Sequence, residues 1–126
     1  MGDPRHSLGL RAEEAVAAWL SGSGWRVLAR RWRGSAGGEL DLICLAADRT
    51  LVGIEVRARR TDRAGSAAES VDRRRVLRLR TALAAYAAGA TVPHHGLRID
   101  LVAVSPAAGA QPGQWHLRRL AGVDAW

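Results

Sequence analysis

Two apolar runs restrict this chain more than any other feature: ELDLICLA from Glu39 to Ala46, and LVGIEVRAR from Leu51 to Arg59, joined by a polar turn near Asp48. So short a connection can only return the chain antiparallel to itself, and aliphatic, β-branched sequences of this kind belong in a sheet. The runs therefore predict a hairpin of buried strands. Charge nevertheless recurs inside it, with Glu39 and Asp41 in the first strand and Glu55 and Arg57 in the second. Each pair is two residues apart and so shares a sheet face.

A ladder centred on Asp48 sets Asp41 opposite Glu55 and Glu39 opposite Arg57. Opposed side chains on one face have Cβ atoms about 4.5–5.5 Å apart, and like charges at that separation repel. A cation is therefore expected between Asp41 and Glu55. Arg57 is one candidate and a divalent metal ion the other. Mg²⁺ is typically held by one or two carboxylates, its other positions open to water and phosphate oxygens, which is how phosphodiester-cleaving sites are built. The alternative is a structural ion-pair network of Glu39, Asp41, Glu55, Arg57 and Arg59.

Around the hairpin the order of elements is simple. Apolar residues at three- and four-residue steps predict a helix from Ser7, as its cap, to about Leu20, with Ala12, Val16, Trp19 and Leu20 inward. Glu13 lies at the edge of that stripe and is expected to face the sheet, whereas Glu14 points outward. A carboxylate at position 13 is either a metal-directed group or a first-turn glutamate favoured by the helix dipole. Trp25 to Arg33 reads as a strand, followed by the GSAGG turn, the hairpin, and a small, polar loop from Arg60 to Ser70. A long helix follows, capped by Asp72, striped by Val76, Leu79, Leu83 and Tyr86, and stopped by Gly89. Leu97 to Pro106 is a further strand and Gln114 to Leu120 an edge strand. The long helix can carry the chain to a strand parallel to the one before it, so the sheet is expected to be mixed. The 126 residues fit one α/β domain.

Composition narrows the setting. A net charge of +7 and a pI near 11.4 make a polyanion the first partner to consider. All 19 basic residues are arginine. No apolar run is long enough to span a bilayer, the first residues lack a signal-peptide core, and the single Cys44 has no partner for an internal disulfide, so a reducing cytoplasm is expected. Cys44, Trp19 and Trp25 read as core, Trp32 as core or sheet cover, and His94 and His95 as loop residues without zinc-ligand spacing.

The segments LGLRAEEAVAAWL, RVLARRWRGSAGGELDLICL, LVGIEVRAR, GSAAESVDRRRVLRLRTALAAY and LRIDLVAV together resemble the YraN-like uncharacterised protein family, predicted endonucleases distantly related to archaeal Holliday junction resolvases. The resemblance covers nearly the whole chain. It implies a restriction-endonuclease-like fold, a mixed central β-sheet flanked by helices, with a PD-(D/E)xK-type site. Asp41 matches the first metal-binding carboxylate, Glu55 the second and Glu13 the helix-one glutamate, while Glu39 and Arg59 match flanking positions. Gly65 and Val71 match the loop and helix start, Arg75 replaces a customary lysine, and Arg98 and Asp100 match a later basic-hydrophobic-aspartate pattern. Arg57 stands where the family usually has lysine. Lysine can orient or help deprotonate the attacking water, but arginine stays protonated and acts only as a positive charge.

The expectation is a Mg²⁺- or Mn²⁺-dependent endonuclease acting on DNA, branched or otherwise structured, with Asp41 and Glu55 as metal ligands, Glu13 as a further ligand or a water-orienting group, and Arg57 on the phosphate. Arg59, Arg60, Arg63, Arg74, Arg75 and Arg78 would track the DNA backbone. The alternative is a non-catalytic nucleic-acid-binding module on the same scaffold.

Overall fold

The hairpin forms in the register that its turn dictates. In the computed structural model, which describes residues 4–35, 37–59, 72–106 and 114–125, β2 (Glu39–Leu45) pairs antiparallel with β3 (Leu51–Ala58), Leu42 lying against Ile54 and Leu45 against Leu51. The Asp48 carboxylate accepts the Thr50 N–H at 3.0 Å, closing the turn through a local side-chain bond. β1 (Arg26–Arg33) pairs antiparallel with the other side of β2.

The chain then crosses over through α2 (Arg73–Gly89) and enters β4 (Leu97–Pro106), which runs parallel to β3; β5 (Trp115–Leu120) returns antiparallel along β4. The strand order is thus β1-β2-β3-β4-β5, a mixed sheet whose parallel pair is the one bridged by a helix. Asp72 caps α2 from an extended backbone, its carboxylate accepting the Arg74 N–H at 2.9 Å.

Alternating strand residues bury against a helix on each face. Leu42, Cys44, Val52, Ile54, Val102 and Val104 pack with Ala12, Val16, Ala17 and Leu20 of α1 (Pro4–Gly22). Ile43, Leu51 and Ile99 pack with Leu79, Ala82 and Leu83 of α2 on the other side. Trp32 covers that second layer and meets Tyr86 edge to face, with ring centroids 5.5 Å apart. This helix-flanked mixed sheet is the α/β architecture expected of a restriction-endonuclease-like chain. Among the described residues no helix is long and apolar enough to cross a membrane.

Two expectations about α1 need correction. The helix starts at Pro4, not after a Ser7 cap; proline at a first helical position has no N–H to leave unsatisfied. Trp19 is 38% exposed and not core, because Val16, Ala17 and Leu20 already fill the face turned to the sheet.

A fully buried carboxylate fastens the far side of the sheet. Asp100 on β4 accepts Arg98 Nε at 2.8 Å and Nη2 at 3.1 Å, Arg119 Nη1 at 2.9 Å and the Gly122 N–H at 2.9 Å. The same two guanidiniums flank the Trp25 ring, at 5.9 and 5.0 Å from its centroid. Asp124 extends the lock, accepting the Ile99 N–H at 3.0 Å and pairing with Arg80 of α2. Asp100→Asn removes the charge that two arginines face, so it should destabilise the fold by about 3 kcal/mol or more, measured by urea unfolding against wild type.

Candidate functional site

β2 and β3 part company at Asp41. Their ladder ends at Leu42 and Ile54, and the next acceptor along β3 is a side chain: Asp41 Oδ2 takes the Val56 N–H at 2.7 Å. Asp41 and Glu55 are therefore neighbours across an opening, not a ladder pair. β1 distorts at the same level. Its pairing with β2 runs through Arg30 with Leu42 and Trp32 with Leu40, while Arg31 between them adopts a left-handed backbone with φ 48°. Leu40 and Leu42 would share a face of a regular strand, yet they lie in opposite core layers, so the alternation of β2 breaks at Asp41.

The distortion opens a cavity of about 460 Å³ lined by Leu10, Glu13, Glu14, Arg30, Arg31, Asp41 and Leu42. Glu13 faces inward as expected, and its Oε2 takes Arg31 Nε and Nη2, each at 3.2 Å. Burial pushes the Asp41 carboxyl up to about 6; the Val56 N–H works against this, and the charges of Glu13, Glu55 and Glu39 reinforce it.

Glu55, 5% exposed, is met from the α2 side of the sheet. Its Oε1 accepts Arg75 Nε at 2.5 Å, with Arg75 Nη2 also at 2.5 Å, and Arg57 Nε stands 3.8 Å away. Glu55 does not line the Asp41 cavity, although its charge reaches Asp41. Among the described residues, Arg57 Nε is a buried donor with no hydrogen-bond partner. Glu39 does not meet Arg57; it binds Arg33 at 3.0 Å, because β2 is paired only with β1 at that level.

The other expected residues divide. Arg74 and Arg78 are exposed on α2, and Arg59 is half-buried just after β3, its N–H bonded to the Val104 carbonyl at 2.8 Å. Arg75 is committed to Glu55 instead of lying free on the helix. Arg60, Arg63, Gly65 and Val71 lie outside the described residues. Cys44 is buried and its thiol pushed up to about 12, chiefly by that burial, which suits a core residue and not a nucleophile. His94 bonds the Val92 carbonyl in its loop. Sequence reasoning missed Arg30 and Arg31 at the cavity; the only signal was a basic doublet in an edge strand, which carries no hint of a left-handed residue. Among the described residues no group of three or more His, Cys, Asp or Glu side chains is placed to hold a metal ion.

A five-stranded mixed sheet with one helix per face, and acidic residues gathered where its second and third strands part, defines the class of protein. The chain belongs to the uncharacterised protein family UPF0102, the YraN family, whose model matches residues 12–104. It is 38% identical over 114 residues to a UPF0102 protein of Mycobacterium ulcerans, covering 90% of this chain and 93% of that one. A UPF0102 protein of Mycolicibacterium vanbaalenii is 38% identical over 120 residues, covering 94% and 97%. One from Nitratidesulfovibrio vulgaris is 37% identical over 105 residues, covering 83% and 77%.

The raised Asp41 carboxyl fixes the sign of a pH dependence. The folded chain holds this proton more tightly than the unfolded chain, whose value is near 3.8, so the group's stabilising contribution is complete below 3.8 and lost as pH rises through about 6. Asp41→Asn, still able to accept the Val56 N–H, should be more stable than wild type at neutral pH by on the order of 2–3 kcal/mol. That advantage should vanish below pH 4, and urea unfolding in EDTA at the two pH values measures it.

Proposed function

We propose that this chain is a divalent-metal-dependent endonuclease-like protein that hydrolyses phosphodiester bonds of DNA. The observation that carries the proposal is Asp41: a desolvated carboxylate, crowded by other carboxylates, facing a cavity shared with Glu13 where the sheet opens. A buried charged aspartate is normally matched by a cation, whereas among the described residues the partner held by Asp41 is one backbone N–H. Its oxygens and those of Glu13 suit Mg²⁺ or Mn²⁺, which need only one or two carboxylates when water and phosphate supply the rest. When bound, such an ion activates water and neutralises charge on the scissile phosphate.

The protein's own groups would do the remainder. The Val56 N–H orients Asp41, and Glu13 projects from α1 into the same cavity. Glu55 serves as the second carboxylate only if Arg75 or Arg57 yields it. Arg57, half-buried and with no hydrogen-bond partner at Nε among the described residues, would stabilise phosphate charge and exchanges no proton. Arg59, Arg74 and Arg78, together with Arg60 and Arg63, supply sequence-independent backbone contacts.

One observation favours a second reading, the non-catalytic DNA-binding module: Glu55 already has two arginines against it. A nicking assay on branched and single-stranded DNA decides between them. Wild type should cut with Mn²⁺ and not in EDTA, Asp41→Asn should fall to background, and Arg57→Lys should cut faster, within the roughly 10²–10⁴-fold range of general acid–base groups. Salt-sensitive DNA binding without cleavage by wild type or Arg57→Lys would establish the binding module instead. Undiminished cutting by Asp41→Asn would remove Asp41 from the site.

A further inference from the structure

Successive strand residues point to opposite faces of a sheet, yet Arg30 and Arg31 of β1 line the same cavity. The left-handed backbone at Arg31, φ 48°, accompanies this breach of alternation. A non-glycine residue held there costs about 1–2 kcal/mol, and such outliers cluster where a side chain must be aimed. Both arginines are exposed, and Arg30 makes no ion pair among the described residues. Arg31 is tied to Glu13 through a single carboxylate oxygen, with side-chain exposures of 47% and 18%. A pair so exposed is worth little and exchanges readily. The other charged groups of the cavity, Glu13, Glu14 and Asp41, repel anions, so these two guanidiniums are what make its mouth receptive to one.

We propose that Arg30 and Arg31 form a phosphate-binding lip at the Asp41 cavity that grips the DNA backbone, and that Glu13 competes with the phosphate for Arg31. The inference rests on the DNA reading above and adds to it where the strand enters: along β1, at the edge of the sheet away from β5. Guanidinium forks bind phosphate oxygens in pairs, and two adjacent forks on one wall match successive oxygens of a phosphodiester backbone.

Fluorescence anisotropy with a labelled branched DNA, in EDTA and at several salt concentrations, tests this without any cleavage. The double variant Arg30→Ala/Arg31→Ala should lose about ten-fold in affinity at low salt, and its slope of log affinity against log salt should shrink by about two. Removing the same charge elsewhere, by Arg49→Ala/Arg118→Ala in the hairpin turn and on β5, should leave the slope at its wild-type value. Glu13→Gln should bind about two- to five-fold more tightly, because Arg31 is released. A merely structural Arg31–Glu13 tie predicts the opposite, Glu13→Gln and Arg31→Ala weakening binding alike, and that result overturns the proposal. Arg30→Ala alone, which breaks no ion pair, must still lower affinity if Arg31 variants fold poorly. Wild-type affinity and slope in the double variant would overturn the lip and leave the DNA reading standing; no binding by wild type at low salt would overturn both.

Discussion

The bond from the Val56 N–H to Asp41 lets the sheet open without unravelling. β3 continues alongside β4 as far as Ala58, but its ladder with β2 stops at Ile54. A strand deserted on one side in a protein interior would leave a donor stranded, at roughly 1–3 kcal/mol for each such group. The Asp41 carboxylate accepts that donor at 2.7 Å, so the two strands can diverge next to a packed core. Everything of chemical interest lies around the gap: Glu13 reaches it from α1, and Arg75 of α2 reaches Glu55 from the opposite face.

The two central carboxylates are treated unequally. Glu55 is buried and faces two guanidiniums, an arrangement in which the negative charge is compensated within the fold. Asp41 has a backbone dipole in its favour and three carboxylates against it, so at neutral pH its ionised form is a source of strain. Stabilising a fold would favour exchanging such a residue for a neutral one. A ligand that preferred the ionised form would restore stability, by an amount that grows with the logarithm of its concentration over its dissociation constant.

Local sequence carried the ladder. The Asp48-centred register, the Asp72 cap and the limits of β4 each follow from short-range chemistry: a turn residue, a capping carboxylate, an alternating run. Helical periodicity also placed Glu13 inward, whereas Glu14, expected to point away, is exposed and yet lines the same cavity. Three features did not follow from local pattern. The capture of Arg75 by Glu55 depends on how α2 docks against β3, twenty residues away in sequence. The end of the ladder depends on a side chain replacing a main-chain partner, to which alternation is blind. The left-handed turn at Arg31 depends on β1 following β2 around the same distortion, and arginine offers no intrinsic preference for it. The exposure of Trp19 shows the same limit, since its helix had smaller residues enough to fill its inner face.

The absence of lysine gives these arginines a shared consequence. A lysine at position 57 would present a compact charge able to turn toward Glu55, Asp41 or a water. Arginine presents a rigid plane, and Arg57 Nε sits 3.8 Å from Glu55 Oε1, beyond a good hydrogen bond and without another partner among the described residues. A buried donor left in that condition costs roughly 1–3 kcal/mol. The site's positive groups therefore act by position and charge alone. Asp41, by contrast, has a carboxyl that burial pushes up to about 6, so its charge is lost on mild acidification while the arginines around it keep theirs.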